Sequence, residues 1–258
     1  MLRACSLGSG SSGNALVVEA RDGTSITRVL VDNGFNLKQL CRRLERAGLS
    51  LHDIDAVLVT HEHSDHVGGV VRLARKARIP VYCSEGTARA AHLRELGVDW
   101  RELVSGVRQE LGALVIDPYE VPHDAAEPLQ FVFGDGGRWL GLLTDAGEPT
   151  SVMEAALRRV DALVLECNHD EQMLRTGPYA SFLKTRIGGT RGHLSNAQAA
   201  DLLLRLDCVR LQWVAAAHLS SQNNTKALAC AALAAALGCD DAHVAVADQE
   251  EGLGWRAV

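Results

Sequence analysis

Thr60-His61-Glu62-His63-Ser64-Asp65-His66 is the stretch that decides how this chain is read. It follows Ile54-Asp-Ala-Val-Leu-Val-Thr60, whose Ala56–Thr60 run is apolar on both faces as a buried strand requires, and it leads through Val67-Gly-Gly into a helical pattern. In extended chain, side chains two apart point the same way, so His61 and His63 can grip one metal ion. Asp65 and His66, at the turn into the helix, can reach a second. A polar surface loop that merely happens to hold His is the ordinary alternative. It does not account for three imidazoles within six residues of a chain that has 10 histidines in 258.

Outward from this loop, short apolar runs alternate with helical spacing. Strands are predicted at residues 16–19, 26–31, 56–60, 80–83, 113–116, 129–133, 139–143, 162–166, 211–217 and 244–246. Helices are predicted at 37–47, 67–77, 86–96, 151–160, 195–206 and 223–237, with Ser151, Ser195 and Asn223 as caps. The class is α/β, and the runs 56–60 and 211–217 belong in the middle of sheets covered by helices. No repeat and no linker-like shift divides residues 1–258, which are read as a single domain. Gly8-Ser-Gly-Ser-Ser-Gly-Asn14 lacks the Lys-Ser/Thr and following helix of a phosphate loop and is read as a tight connection between two strands.

Composition excludes several classes. Hydrophobic residues at 47% and charged residues at 22% rule against disorder, collagen and coiled coil, and a net charge of −6 argues against a chain that coats nucleic acid by charge alone. The seven cysteines are scattered with no Cys-x-x-Cys pair, which predicts reduced, mostly buried thiols. The N-terminal residues have no signal-peptide pattern and no apolar run reaches membrane-spanning length, so the expected location is the cytoplasm, without a membrane partner.

A metal site usually takes ligands from other segments too, and strand ends converge on one edge of a sheet. Val121-Pro-His123-Asp124, Leu142-Leu-Thr-Asp145 and Val214-Ala-Ala-Ala-His218 each follow an apolar run. Alone, each His or Asp reads as a turn or cap residue. In the order His, Asp, His after the cluster they complete a ligand set.

The pattern His-x-His-x-Asp-His followed by His, Asp and His at strand ends resembles the metallo-β-lactamase superfamily. The resemblance implies a four-layer αβ/βα sandwich with metals at the sheet edges. It implies His61, His63, His123 and Asp145 around one ion, Asp65, His66, Asp145 and His218 around another, and Asp32 in Leu30-Val-Asp-Asn-Gly34 as a support behind the ligand loop. Glu166-Cys-Asn-His-Asp170, Met173-Leu, Gly177-Pro-Tyr179, Leu183-Lys-Thr-Arg186, Gly192-His-Leu-Ser-Asn196 and His218-Leu-Ser-x-x-Asn-Asn224 further resemble the YycJ/WalJ family over essentially the whole chain. Cys167 and Ala180 depart from that pattern, where Ser and Pro are expected.

This second resemblance implies an exonuclease-like phosphodiesterase related to ribonuclease Z, acting on DNA in preference to RNA, with 5′ to 3′ polarity and two divalent ions, zinc or manganese. It also implies His193 as proton donor, oriented by Glu166. Arg175, Lys184, Arg186 and Arg191 lie in a stretch with no acidic residue, suited to phosphate; Lys184, Arg186, Arg191 and His169 are the candidate substrate contacts, His169 either touching phosphate or bracing Glu166. Arg72, Arg75, Lys76 and Arg78 read as a solvated helix face. The other reading is a small-molecule hydrolase of the same fold, for a thioester, lactone or β-lactam. The missing export signal and the single Ala-rich helix after the last ligand argue against it. A non-catalytic module would not retain a complete ligand set. Oligomeric state is not set by these residues.

Overall fold

Period-two alternation feeds two cores at once. In the computed structural model, which describes residues 1–258, strand β3 (Ser25–Val31) turns Val29 and Val31 to one side and Leu30 to the other, and β11 (Ala162–Glu166) does the same with Ala162 and Val164 against Leu163 and Leu165. Each is covered on both faces, as its near-continuous apolar run requires.

The first sheet has the order β14 (Leu253–Ala257), β1 (Leu2–Gly8), β2 (Ala15–Asp22), β3, β4 (Ala56–Leu58), β5 (Val81–Cys83) and β6 (Trp100–Glu102). The second has β13 (Ala245–Val246), β12 (Trp213–Ala217), β11, β10 (Trp139–Leu143), β9 (Leu129–Gly134), β8 (Leu114–Glu120) and β7 (Gln109–Leu111). In each, an antiparallel half gives way to a parallel half, at β3 in one and β10 in the other. Asp32 and Asp145 follow those two strands, at matching corners.

Between the sheets lies a core containing Val18, Leu58, Ile116, Phe131 and Phe133. On the outer face of the first sheet pack α1 (Leu37–Arg46), α3 (Val70–Ala77) and α4 (Glu85–Ala90), through residues such as Leu40, Leu44 and Leu73. On the outer face of the second pack α5 (Ser151–Leu157), α8 (Asn196–Arg205) and α9 (Lys226–Leu237), through Met153, Leu202 and Leu233. This is the expected four-layer αβ/βα sandwich, with the runs 56–60 and 211–217 inside their sheets. Two short helices, α6 (Glu171–Thr176) and α7 (Ser181–Ile187), stand over the sheet edge, and no residue of α7 is buried.

Several local expectations need correction. The helix expected over 67–77 is broken at Gly68-Gly69 into α2 (Ser64–Val67) and α3. The caps are Thr150 and Thr225, not Ser151 and Asn223, because the Thr hydroxyls accept from the Met153 and Leu228 amides. Residues 91–96 leave the helical path after Ala90. Strands β6, β7 and β14 and helices α6 and α7 are not among the expected elements, whereas β1 is the strand implied before the Gly8–Asn14 connection. The short edge strands carry little alternation and are held by their neighbours. Only Cys5, Cys83 and Cys167 are buried; three others are half-buried, Cys239 is exposed, and none is in a disulfide. Arg72, Arg75, Lys76 and Arg78 are exposed as expected, Gly8–Asn14 does join β1 to β2, and no helix is long and apolar enough to cross a membrane.

Candidate metal centre

Strand ends build the site. Asp32 follows β3, the His61–His66 loop follows β4, Asp145 follows β10, Glu166 closes β11 and His218 follows β12. Asp32, Asp145 and His218 have φ of 60°, 54° and 54°, in the left-handed region that non-glycine residues seldom adopt. Such strain persists where surrounding structure over-determines it, and here it recurs at three strand ends facing one point.

Hydrogen bonds fix which ring atoms face that point. His61 Nδ1–H donates to Thr60 Oγ1 at 3.0 Å and His123 Nδ1–H to the Gly192 carbonyl at 2.9 Å, so both turn bare Nε2 atoms inward. His63 Nδ1 lies 3.0 Å from His61 Nε2 and 3.3 Å from His123 Nε2, leaving at most one hydrogen among three converging nitrogens. Burial first, and then the nearby His66, hold the His61 pKa well below its ordinary value, so this ring is neutral. Three imidazole nitrogens in this arrangement form a donor set suited to a divalent cation.

Beside it, His66 Nδ1–H donates to Asp32 Oδ2 at 2.8 Å and turns Nε2 toward Asp145 Oδ2, 3.2 Å away, and Asp65 Oδ2, 3.5 Å away. His218 Nδ1–H donates to Glu166 Oε1 at 3.1 Å, and its Nε2 lies 3.6 Å from Asp65 Oδ2. Asp145 Oδ2 and His218 Nε2 are both buried without a hydrogen-bond partner, which is costly unless a cation or proton meets them. Burial raises the Asp145 pKa, but His218 and His66 outweigh it and hold the carboxylate well below its ordinary value. Burial likewise opposes charge on His218, yet Asp145, Asp65 and Glu166 push its pKa up to about 10. Where no cation is bound, protons take its place on these rings. Metal binding displaces such protons. The residues therefore fit a metal centre on their own geometry: His61, His63 and His123 make one group, Asp65, His66 and His218 another, and Asp145 lies between them.

Glu166 is fully buried and serves two rings. Its Oε1 accepts from His193 Nδ1–H at 2.8 Å and from His218, while Oε2 accepts from the Ala146 and Leu194 amides. Burial would raise its pKa; the pull of His193 and the hydrogen bonds lower it to about 2. His193 is pushed upward in turn, Glu166 overcoming the effect of burial. With Nδ1 so held, the other edge of His193 meets a cavity of about 390 Å³ also lined by His63, Asp65, Asp145, His218 and Tyr179.

The candidate substrate contacts are divided. Arg186 lines this cavity but its Nε donates to Asp124 Oδ2 at 2.6 Å. Lys184 and His169 line a different cavity, and Arg191 is exposed and lines neither. Three supports were not singled out from the sequence. Thr60 donates from N and Oγ1 to the two Asp32 oxygens. Asn14 Nδ2 lies 3.1 Å from His66 Nε2. Asp124 Oδ1 lies 3.4 Å from His123 Nε2. Adjacency to the ligand motifs is the only signal that pointed to Thr60 and Asp124.

Comparison with known proteins agrees with this architecture. A family model described as a beta-lactamase superfamily domain matches residues 27–214. Exodeoxyribonuclease YycJ of Bacillus anthracis is 38% identical over 226 residues, covering 86% of this chain and 84% of that protein. Exodeoxyribonuclease WalJ of Streptococcus pneumoniae is 36% identical over 228 residues, covering 86% and 83%. The chain belongs to the YycJ/WalJ family of the metallo-β-lactamase superfamily. Membership makes it a metal-dependent hydrolase, in keeping with the His and Asp groups at the sheet edges. Among solved structures, the metallo-β-lactamase fold protein YhfI from Bacillus subtilis superposes with a TM-score of 0.74 over 99% of this chain and 98% of its own, at 15% identity. At that identity the YycJ/WalJ-family chain shares the fold with it and no more.

Proposed function

We propose that this chain is a dinuclear metal-dependent phosphodiesterase that removes nucleotides from an end of a DNA strand. The observation that carries the reading is the agreement of two independent facts: a complete His/Asp donor set, and relatives named exodeoxyribonucleases that match over more than four fifths of both chains. The small-molecule reading is less well supported: a hydroxyacylglutathione hydrolase of Hahella chejuensis is similar over only 48% of this chain and 38% of its own length. One domain over residues 1–258 suits this function, because each proposed ion takes donors from the ends of both sheets: His61 and His63 with His123, and Asp65 and His66 with His218.

His61, His63 and His123 would hold one ion and Asp65, His66 and His218 the other, with Asp145 shared. Two divalent ions, zinc or manganese, would supply a water of lowered pKa and neutralise charge on the phosphoryl group. His193 would give its Nε2 proton to the leaving oxygen, since Glu166 keeps the imidazolium charged and fixes its orientation. Asp32 and Thr60 would hold the His66 and His61 rings in the required tautomers. Arg186, steadied by Asp124, would meet a non-bridging phosphate oxygen at the cavity wall.

The test is a nuclease assay of metal-stripped protein reconstituted with zinc or manganese, on end-labelled single- and double-stranded DNA and RNA. Mononucleotide release from DNA that requires added metal and is lost in Asp145→Ala is expected. Turnover by Asp145→Ala at full metal occupancy would refute the ligand assignment, and inactivity on every nucleic acid would refute the substrate class.

A further inference from the structure

Helix α7 is a partition. Its Leu183, Arg186 and Ile187 line the metal cavity, while its Ser181, Lys184 and Thr185 line a second cavity of about 530 Å³ behind it. At 3.6 residues per turn these are two different faces, and Phe182, 76% exposed, stands on the outward crest between them. An apolar ring so exposed on a helix with no buried residue has nothing in the protein to pack against.

The second cavity holds an unexplained group. His169 is 3% exposed and lines it, yet Nδ1 of its ring is buried with no hydrogen-bond partner. A buried lone pair without a partner costs less than a buried N–H without one, so the ring proton belongs on Nε2, at the edge that meets the cavity. Burial lowers the His169 pKa, in keeping with a neutral ring offering that one donor. Around it, Lys184 uses one N–H on the Arg175 carbonyl at 2.8 Å and keeps two free. Arg175 itself also lines the cavity. The cavity wall also holds one carboxylate, Glu171, whose Oε1 accepts from Ser195 Oγ at 3.2 Å. The free donors are thus two cations and one imidazole N–H, converging on a roomy polar space one helix away from the metal donors.

We propose that this cavity is a second phosphate subsite, taking from the same single strand a phosphate beyond the one being cleaved. Arg175, Lys184 and His169 bind that phosphate, and the strand crosses the crest of α7 with an unpaired base stacked on Phe182. This rests on the nuclease reading and deepens it: a strand that must bend over α7 and stack on an exposed ring is single-stranded at its end.

The experiment measures binding by fluorescence anisotropy, with the metal-loaded protein and phosphorothioate-linked, hydrolysis-resistant single-stranded DNA of six nucleotides or two. Arg175→Ala and Lys184→Ala, both at positions with accessible side chains, should weaken hexanucleotide binding severalfold. Each should reduce the slope of log affinity against log salt by about 0.7, the value for one phosphate contact on a single strand. His169→Ala should weaken binding without changing the slope, because its donor is neutral. Phe182→Ala should weaken it on the order of 10-fold or more, the usual worth of one stacked base. The dinucleotide, too short to cross α7, should show none of these losses. Unchanged hexanucleotide affinity and slope in the Arg175 and Lys184 variants overturn the subsite, as do equal losses with both lengths. Failure of the unaltered protein to bind hexanucleotide also overturns the subsite, whereas the nuclease reading falls only if the same protein releases no nucleotide from end-labelled single- or double-stranded substrates, so the two failures are told apart.

Discussion

Replacing Asp32 by Asn changes one oxygen for an amide group, in a residue whose left-handed backbone Asn also tolerates. Asp32 accepts three hydrogen bonds: from the Thr60 amide at 2.8 Å on Oδ1, and from Thr60 Oγ1 at 2.9 Å and His66 Nδ1 at 2.8 Å on Oδ2. Asn has one acceptor oxygen for these donors. If that oxygen faces the Thr60 amide, the new NH₂ faces His66, which must move its proton to Nε2 and loses the lone pair proposed for metal. If the amide is flipped, NH₂ opposes the buried Thr60 N–H. The first outcome should cost about 10- to 100-fold in affinity at the ion held by His66, the usual effect of removing the group that orients a ligating imidazole. That is about 1.4 to 2.8 kcal/mol. The second should destabilise the metal-free protein by about 1 to 3 kcal/mol, the cost of an unsatisfied buried donor. Chelator-competition titration with zinc or manganese measures the first, and denaturant unfolding of the stripped protein the second. Affinity for both ions within twofold of the unaltered protein, together with unchanged stability, would refute the tautomer argument.

Glu19 is fully buried; burial raises its pKa, but hydrogen bonds from Arg3, Arg21 and Arg28 outweigh this and lower it from 4.5 to about 2. Because the folded value is the lower one, the stability this carboxylate contributes is present above pH 4.5 and lost as pH falls toward 2. Unfolding of Glu19→Gln beside the unaltered chain should therefore show a gap that closes over that window, and a gap independent of pH would refute it. His193→Ala should retain both ions by elemental analysis yet lose on the order of 10²- to 10⁴-fold on an alkoxide-leaving phosphodiester, and much less on a nitrophenyl ester whose leaving group needs no proton. Equal losses on both would remove His193 from the role of acid. A Cβ on Gly34 would fall 2.0 Å from the Asp65 carbonyl oxygen, so Gly34→Ala should displace the Asp65-His66 turn and lower metal content toward one ion per chain. Full occupancy with normal turnover would show that the turn can shift without loss.

Much of this protein is local, and local features are legible in sequence. Each donor residue stands just after a buried strand, so a short apolar run and the His or Asp that ends it announce both the strand and the site in one stretch, as Ala56–His66 and Trp213–His218 do. Helix α8 announced its own start through Ser195, whose hydroxyl caps the Gln198 amide. What the tertiary structure alone decided depends on atoms distant in sequence. The ring proton of His66 is set by Asp32, 34 residues away, and that of His123 by the Gly192 carbonyl, 69 residues away. Arg186 looked like a free phosphate contact until the fold brought Asp124 against it, and Lys184, two residues earlier, turned out to face a different cavity because a helix sends neighbours to different sides. The edge strands β6, β7 and β14 have weak patterns of their own and exist because a neighbour supplies their hydrogen bonds. Periodicity and motif spacing report what a residue is next to along the chain; hydrogen-bond partners, tautomers and cavity walls are properties of what folding brings next to it in space.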